Sequence, residues 1–346
     1  MPASLEPKSW LMTDNATSAG CWIADVATGT DASQLVALPA LLYSIYSSLT
    51  SGTPYFCLRT HVLLLERTSA AAVASAQQRA QRAGFGLSFH SVRTADHKLL
   101  RESSSTAEAM NMIRFYLPHI LPNVDKVLWV DVDLIVRCDV RSLLQNTFLG
   151  KFANAGLAAV QRRSTLTKKI PNLTDVAMLR RIGSHKRVRQ FTNTSWFNAG
   201  VAVFNLQVWR KEGIVADVEL LVPWLRKYSL SRYTGLSVPG VSSQIPLVLL
   251  FSAFSGRFQA LPRPWNHDGF AVHKNMASFV KPRQIDRDCV WHWSGRAKAW
   301  KKKAYNRDLW EPYSKNATAS GFTHILEPML FELFFENSML HMAPYF

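Results

Sequence analysis

The stretch DKVLWVDVDLIVRCDV, Asp125–Val140, decides the reading of this chain. Lys126–Val130 has the unbroken apolar character of a strand buried on both faces, and Asp131-Val132-Asp133 stands at its end. On extended backbone, residues two apart point to the same side. Two carboxylates at the mouth of such a strand converge on one hard cation, while Val132 turns back into the core. D-x-D alone is a weak pattern. Asp286-Arg287-Asp288 matches it as well, but no apolar strand precedes it, and it reads as a solvated loop. The competing reading of Asp131 and Asp133 is a capping or turn pair.

Outward from that strand, strand-like and helix-like segments alternate. CWIAD (Cys21–Asp25) reads as a short buried strand followed by a loop, ATGTDASQ. Residues 35–49 read as an apolar helix with Pro39 in its first turn or at a kink. FCLRTHVLLL (Phe56–Leu65) is a buried strand. Ser69–Gly84 is an alanine-rich helix closed by a glycine, and Phe85–Val92 is the next strand. Thr106–Pro122 reads as a helix closed near Pro118, Ser195–Gly213 as a strand running into a helix, and Val241–Phe254 as helical. This alternation predicts parallel pairing in a doubly wound α/β sheet, with the ligand site beyond the carboxyl ends of the strands. The division that follows is a tail at 1–20, one domain at 21–313 carrying a basic, irregular insert at 161–195, and a C-terminal tail at 314–346. The apolar run Ile325–Phe335 in that tail reads as a short helix packing on the domain.

Composition narrows the function. The chain has 346 residues, 48% of them hydrophobic, which suffices for one large α/β domain and excludes dominant disorder. A formal charge of +16 favours polyanionic partners. The basic residues fall mostly in loops and form no recognised nucleic-acid motif, so a specific nucleic-acid partner is not implied. Four cysteines without a C-x-x-C pair exclude a zinc ribbon, and Cys21 and Cys57, in apolar runs, read as buried free thiols. No run of about 18 apolar residues suggests a membrane span. The first 20 residues lack the layout of a signal peptide. Sequons at Asn15, Asn172, Asn193 and Asn316 lean toward a secretory lumen.

A candidate third ligand for the cation lies in VWHWSGRAKAW (Val290–Trp300), although spacing alone favours a packed histidine there. The imidazole of His292 suits a Mn²⁺-type ion better than Mg²⁺. The alternative is a ring held by packing between Trp291 and Trp293. Gly295 lets backbone approach a phosphate, and Lys298 offers a point charge to a diphosphate.

At this point the chain resembles a known family. RFYLP (Arg114–Pro118), the strand ending in D-V-D, WFNAGV (Trp196–Val201), PWNHDG (Pro264–Gly269), HWSGRAKAW (His292–Trp300) and DLWEPY (Asp308–Tyr313) follow the order seen in glycosyltransferase family 8. The resemblance spans residues 21–313. It is strongest to the eukaryotic branch with the plant galacturonosyltransferase-like proteins and the animal glycosyltransferase 8 domain proteins.

The resemblance implies a GT-A fold, a single mostly parallel twisted sheet flanked by helices. It also implies a UDP-sugar donor, Mn²⁺ or another divalent cation, and retaining transfer of a hexosyl or uronosyl group to a glycan or other hydroxyl acceptor. Carried over by motif, Asp131, Asp133 and His292 hold the metal, and Gly295 and Lys298 bind the diphosphate. Asn198, Ala199 and Gly200 line the donor sugar with Arg114 nearby. Asp25 or Asp31 lies against the uracil. Gln244, in Ser242-Ser243-Gln244 where some members have D-Q-D, sits under the anomeric carbon; Gln244, Asn198 and Arg114 are the catalytic candidates. The chain departs from the family at Ala299, where a proline is usual, and in an expanded loop after the first strand. The Golgi lumen or membrane is the implied location, although the chain begins without an anchor, which leaves a soluble cytoplasmic form or a peripheral membrane contact open. The basic insert is a candidate grip for an acidic glycan acceptor. An inactive member serving as a glycan-binding or scaffold protein is the alternative, and the intact metal motif argues against it.

Overall fold

A computed structural model of the chain describes residues 22–50, 56–65, 68–149, 155–165, 195–227, 243–254, 257–272, 287–295, 297–302 and 304–342. In chain order the strands are β1 (Trp22–Thr30), β2 (Phe56–Leu65), β3 (Leu87–Val92), β4 (Lys126–Val130), β5 (Leu134–Val136), β6 (Leu157–Thr165), β7 (Ser195–Asn205), β8 (Phe258–Leu261), β9 (His267–Asp268) and β10 (Val290–His292). The longer helices are α1 (Leu38–Ser47), α2 (Ala70–Arg82), α3 (Thr106–Met112), α4 (Val140–Leu149), α5 (Leu206–Glu212), α6 (Ile214–Lys227), α7 (Arg307–Ala319) and α8 (Phe322–Met342). None of the helices among the described residues is long and apolar enough to cross a membrane. The chain divides into two compact units.

The first unit comprises Met1–Val92, Val130–Asn146 and Pro264–Phe346. Its strands β1 and β2 pair in parallel, as do β2 and β3, which the strand–helix alternation predicts. β1 runs through Thr30, so the expected loop at Ala27–Thr30 is strand; Ala27, Thr28, Gly29 and Thr30 are paired with His61–Leu64 of β2. Parallel pairing decides this against the local glycine signal. Pro39 occupies the first turn of α1, where its missing N–H costs nothing. The Ser69 hydroxyl caps α2 by accepting from the Ala72 N–H, and Gly84, at φ 73°, follows its end. A second, three-stranded sheet runs in the order β5-β10-β9. The C-terminal stretch forms two helices rather than one short one. α8 buries Phe322, Ile325, Leu326 and Met329, and its Glu327 accepts from Arg79 of α2 at 2.9 Å. The expected packing of this tail on the domain is therefore present.

The second unit comprises Arg93–Trp129 and Thr147–Arg263. Here β6 pairs antiparallel with β7 and parallel with β8. Trp209 of α5 anchors its core: the indole donates to the Gly156 carbonyl at 2.9 Å and its ring lies 5.3 Å from Phe251. A Cβ at Gly156 would collide with the Phe251 ring, so glycine is required there. The helix expected to close at Pro118 continues as a turn at Ile113–Tyr116 and a further turn at Leu117–Ile120, with Pro118 in a first-turn position. Of the basic insert at 161–195, Gln161–Thr165 lies in β6 and Ser195 opens β7; the rest lies outside the described residues.

Candidate functional site

β4 is buried, and Asp131 follows its last residue, Val130, directly. The backbone from Asp131 to Asp133 is a turn into β5, not extended strand. The carboxylates nevertheless converge, and Val132 is buried as expected. The turn reading and the chelate reading are thus the same geometry.

β10 completes the cluster. Its ladder with β5 sets His292 opposite Leu134, and the Trp293 N–H donates to the Asp133 carbonyl at 3.0 Å. One ligand atom each from Asp131, Asp133 and His292 lies within 4.8 Å of the others. His292 Nε2 is 3.4 Å from Asp133 Oδ1. On its other side Nδ1 donates to Asn266 Oδ1 at 3.0 Å, which leaves the Nε2 lone pair directed at the carboxylates. Asn266 precedes β9, whose Asp268 is registered against His292. Three segments distant in sequence thus meet in one small sheet. Two carboxylates and an imidazole with a fixed tautomer form a donor set suited to Mn²⁺.

Lys298 donates to Asp133 Oδ2 and, at 3.3 Å, to the Trp293 carbonyl. Burial pushes the Asp133 carboxyl up, but Lys298 and His292 against it outweigh burial and hold it well below the ordinary carboxylate range. Gly295 has φ 134°, and a Cβ there would lie 3.3 Å from that of Ala271, so only glycine fits this turn. Ala299, where the family has proline, is fully buried.

The uracil candidates are now distinguishable by place. Asp25 lies in the body of β1, where its Oδ1 accepts from Arg59 at 2.6 Å and faces His61 Nε2 at 2.9 Å. Asp31 follows the carboxyl end of β1 and accepts from the Ser33 hydroxyl at 2.7 Å and the Gln34 N–H at 3.0 Å, capping the turn into α1.

In the second unit the other predicted residues gather about one backbone segment. Arg114 is buried; it donates to the Ala199 carbonyl at 2.9 Å and stacks 4.8 Å above Trp129. Asn198 Oδ1 accepts from the Gly200 N–H at 2.8 Å. Gln244 Oε1 accepts from the Ala199 N–H at 3.4 Å. A register shift between Ala159 and Val160 sets Asn198 opposite Val160.

Two expectations are corrected. Cys57 is not a free thiol but disulfide-bonded; Cys21 lies outside the described residues. The pairing of cysteines far apart in sequence leaves no mark on local sequence. Asp288 is not solvated: it is buried and paired with His267. A bridge between Cys138 and Cys289, 151 residues apart, was not foreseen. Neither was the role of Asn266, although it lies inside the quoted PWNHDG stretch.

Comparison with known proteins gives the family. The profile of Glycosyl transferase family 8 matches residues 26–304. The chain belongs to glycosyl transferase family 8. Among its relatives in the family, glycosyltransferase 8 domain-containing protein 1 of Xenopus laevis is 27% identical over 244 residues, covering 67% of this chain and 63% of the relative. Protein 2 of Bos taurus is 26% identical over 223 residues, covering 62% and 61%. The chain therefore spans about three fifths of the length of these relatives. A crystal structure of the galactosyltransferase LgtC with donor and acceptor sugar analogues superposes with a TM-score of 0.55 at 20% identity, covering 84% of this chain and 95% of LgtC. The glycosyltransferase GlyE of Streptococcus pneumoniae gives 0.54 at 18% identity, covering 88% and 65%. The fold is GT-A, with a mostly parallel sheet flanked by helices.

Proposed function

We propose that this family member transfers a hexosyl or uronosyl group from a UDP-sugar to a hydroxyl acceptor, with Mn²⁺ or a similar cation held by Asp131, Asp133 and His292. The convergence of those three ligand atoms within 4.8 Å carries the reading. When bound, the cation neutralises charge on the leaving diphosphate.

The protein's own groups do the rest. Asn266 holds His292 in one tautomer. Lys298, with one N–H on the Trp293 carbonyl, places an ammonium beside the Asp133 carboxylate, where it also attracts a diphosphate. Arg114, Asn198 and Gln244 fix the Asn198–Gly200 backbone, which is the candidate wall for the donor sugar. Either Asp25 or Asp31 faces the uracil, and the end-of-strand position favours Asp31. Retention follows if the acceptor hydroxyl attacks from the leaving-group face. The anomeric C–O bond to the diphosphate breaks, the new C–O bond forms, and the hydroxyl proton passes to the departing phosphate oxygen.

The Cys138–Cys289 bridge supports an oxidising compartment, and so the secretory lumen of the Golgi. An acidic glycan remains the candidate acceptor for the basic insert. The test is UDP release from a panel of UDP-sugars with Mn²⁺ and with EDTA, followed by NMR assignment of the product anomer. Mn²⁺-dependent release with retained configuration supports the proposal; binding of glycans without UDP release under any donor replaces it with the scaffold reading.

A further inference from the structure

The bridge between Cys138 and Cys289 stands at one end of the ladder that carries the candidate metal ligands. β5 and β10 share only three registered pairs, Val290↔Val136, Trp291↔Ile135 and His292↔Leu134. At one end of this ladder are Asp133 and His292. At the other, Cys138 is bonded to Cys289, with the Arg137 N–H donating to the Cys289 carbonyl at 2.7 Å. The Cys289 N–H donates to the Pro264 carbonyl at 2.8 Å, at the start of the segment that carries Asn266. Cys289 is therefore the node that ties three segments: the one holding Asp133, the one holding His292, and the one holding the residue that orients His292. All of Thr147–Arg263, most of the second unit, lies between the two cysteines in sequence. A three-pair ladder closed by so long a stretch of chain has little local reason to stay in register.

We propose that Cys138 and Cys289 are positioning residues for the cation: their bridge holds His292 and Asp133 at chelating distance, and reduction loosens the metal site without unfolding the chain. This rests on the metal reading given above. The bridge is half-buried at both ends, so a thiol reductant reaches it. The step is ordinary exchange, in which two glutathione thiols reduce the bridge, Cys138 and Cys289 leave as protonated thiols, and one glutathione disulfide forms.

The test needs no variant to begin. Mn²⁺ binding to the full chain is measured by the loss of the free-ion EPR signal, in oxidised and reduced protein, with far-UV circular dichroism recorded on both. We expect the reduced chain to bind roughly tenfold more weakly or worse, the effect of removing an outer support of a ligand. Because linkage is reciprocal, saturating Mn²⁺ must shift the glutathione equilibrium of the Cys138–Cys289 pair by the same factor, read by alkylation and mass spectrometry. The pair at Cys57 is the internal control and must not shift. A Cys138→Ser/Cys289→Ser chain, which keeps the Cys57 bridge, repeats the measurement without reductant. Equal Mn²⁺ affinity with and without the bridge, and no protection of it by Mn²⁺, overturns the proposal while leaving the metal reading intact. Absence of Mn²⁺ uptake by the oxidised chain overturns both.

Discussion

The residues around Asp133 and those around Arg114 are built on opposite principles. In the first unit, ionisable side chains face one another: Asp131, Asp133 and His292 converge, and Lys298 leans on the same carboxylate. In the second unit, polar side chains are occupied by backbone. Arg114 holds the Ala199 carbonyl, Asn198 the Gly200 N–H and Gln244 the Ala199 N–H. The first arrangement concentrates charge that a protein interior tolerates only when paired or metal-bound. The second shapes a wall of peptide groups. One should therefore be sensitive to charge and forgiving of shape, and the other the reverse.

The largest expected effect tests the first half of that contrast. Asp133→Asn keeps the volume and removes the charge. On the proposed function, metal-dependent turnover should fall about 10³-fold or more, since a cation held there would supply several kcal/mol of transition-state stabilisation, while circular dichroism stays native. Asp133→Ala is the poorer probe. Asp133 is buried against His292 and Lys298, and removing one partner of a buried pair costs about 3–5 kcal/mol, somewhat less here because Lys298 is partly exposed. If Asp133→Asn keeps turnover within tenfold of the parent, the chelate is not the seat of the chemistry.

Next, Gln244→Ala tests the second half. If Gln244 serves the donor sugar as proposed, losing its preorganised dipole should lower kcat about 10²-fold. Donor KM should hold within about threefold, since Ala199 keeps its bond from Arg114. A raised donor KM with unchanged kcat would make Gln244 a binding group and erase the distinction between the two clusters.

Asn266→Ala should weaken Mn²⁺ binding about 10- to 100-fold, measured by isothermal titration, because the ring of His292 loses its tautomer constraint. Asn266→Asp should bind more tightly than Asn266→Ala, since a carboxylate also accepts from Nδ1–H. Equal affinities in parent and both variants would show that packing by Trp291 and Trp293 alone positions the ring.

What the sequence discloses follows the same division. β4 and the D-V-D after it were legible because five residues of local pattern place both carboxylates at a strand end. β2 was legible to its ends because apolar, β-forming residues open and close it at Phe56–Leu58 and Val62–Leu65, although Arg59, Thr60 and His61 interrupt the run. The length of β1 was not. Its Thr28-Gly29-Thr30 reads locally as a loop, and only pairing with Val62–Leu64 makes it strand. Contacts across long separations were silent. Asn266 reaches His292 over 26 residues and Cys138 reaches Cys289 over 151, and nothing near either residue announces its partner. Asp288 was misjudged for the same reason, since His267 buries it from a distance.

The smallest expected effect separates acid sensitivity of the sheet from that of the chelate. In the first unit a chain of contacts runs from Asp25 to His61 Nε2 at 2.9 Å and from His61 Nδ1 to His90 Nε2 at 3.0 Å, with Arg59 also on Asp25. Burial, then the nearby charges of His61 and Arg59, lowers His90 to about 4. His90 is therefore neutral in the folded chain and binds a proton near pH 6.5 once unfolded. Between those values the unfolded state holds more protons, so stability is complete above about pH 6.5 and falls as the pH drops toward 4. Because His90 is partly exposed, the loss should be about 1–2 kcal/mol, not the full value of the shift. Urea unfolding at pH 7 and pH 5 should show this loss, and His90→Gln should flatten it, with Mn²⁺ affinity at pH 7 unchanged. If His90→Gln leaves the pH slope as it was, the acid sensitivity of the first unit belongs to the groups around Asp133 instead.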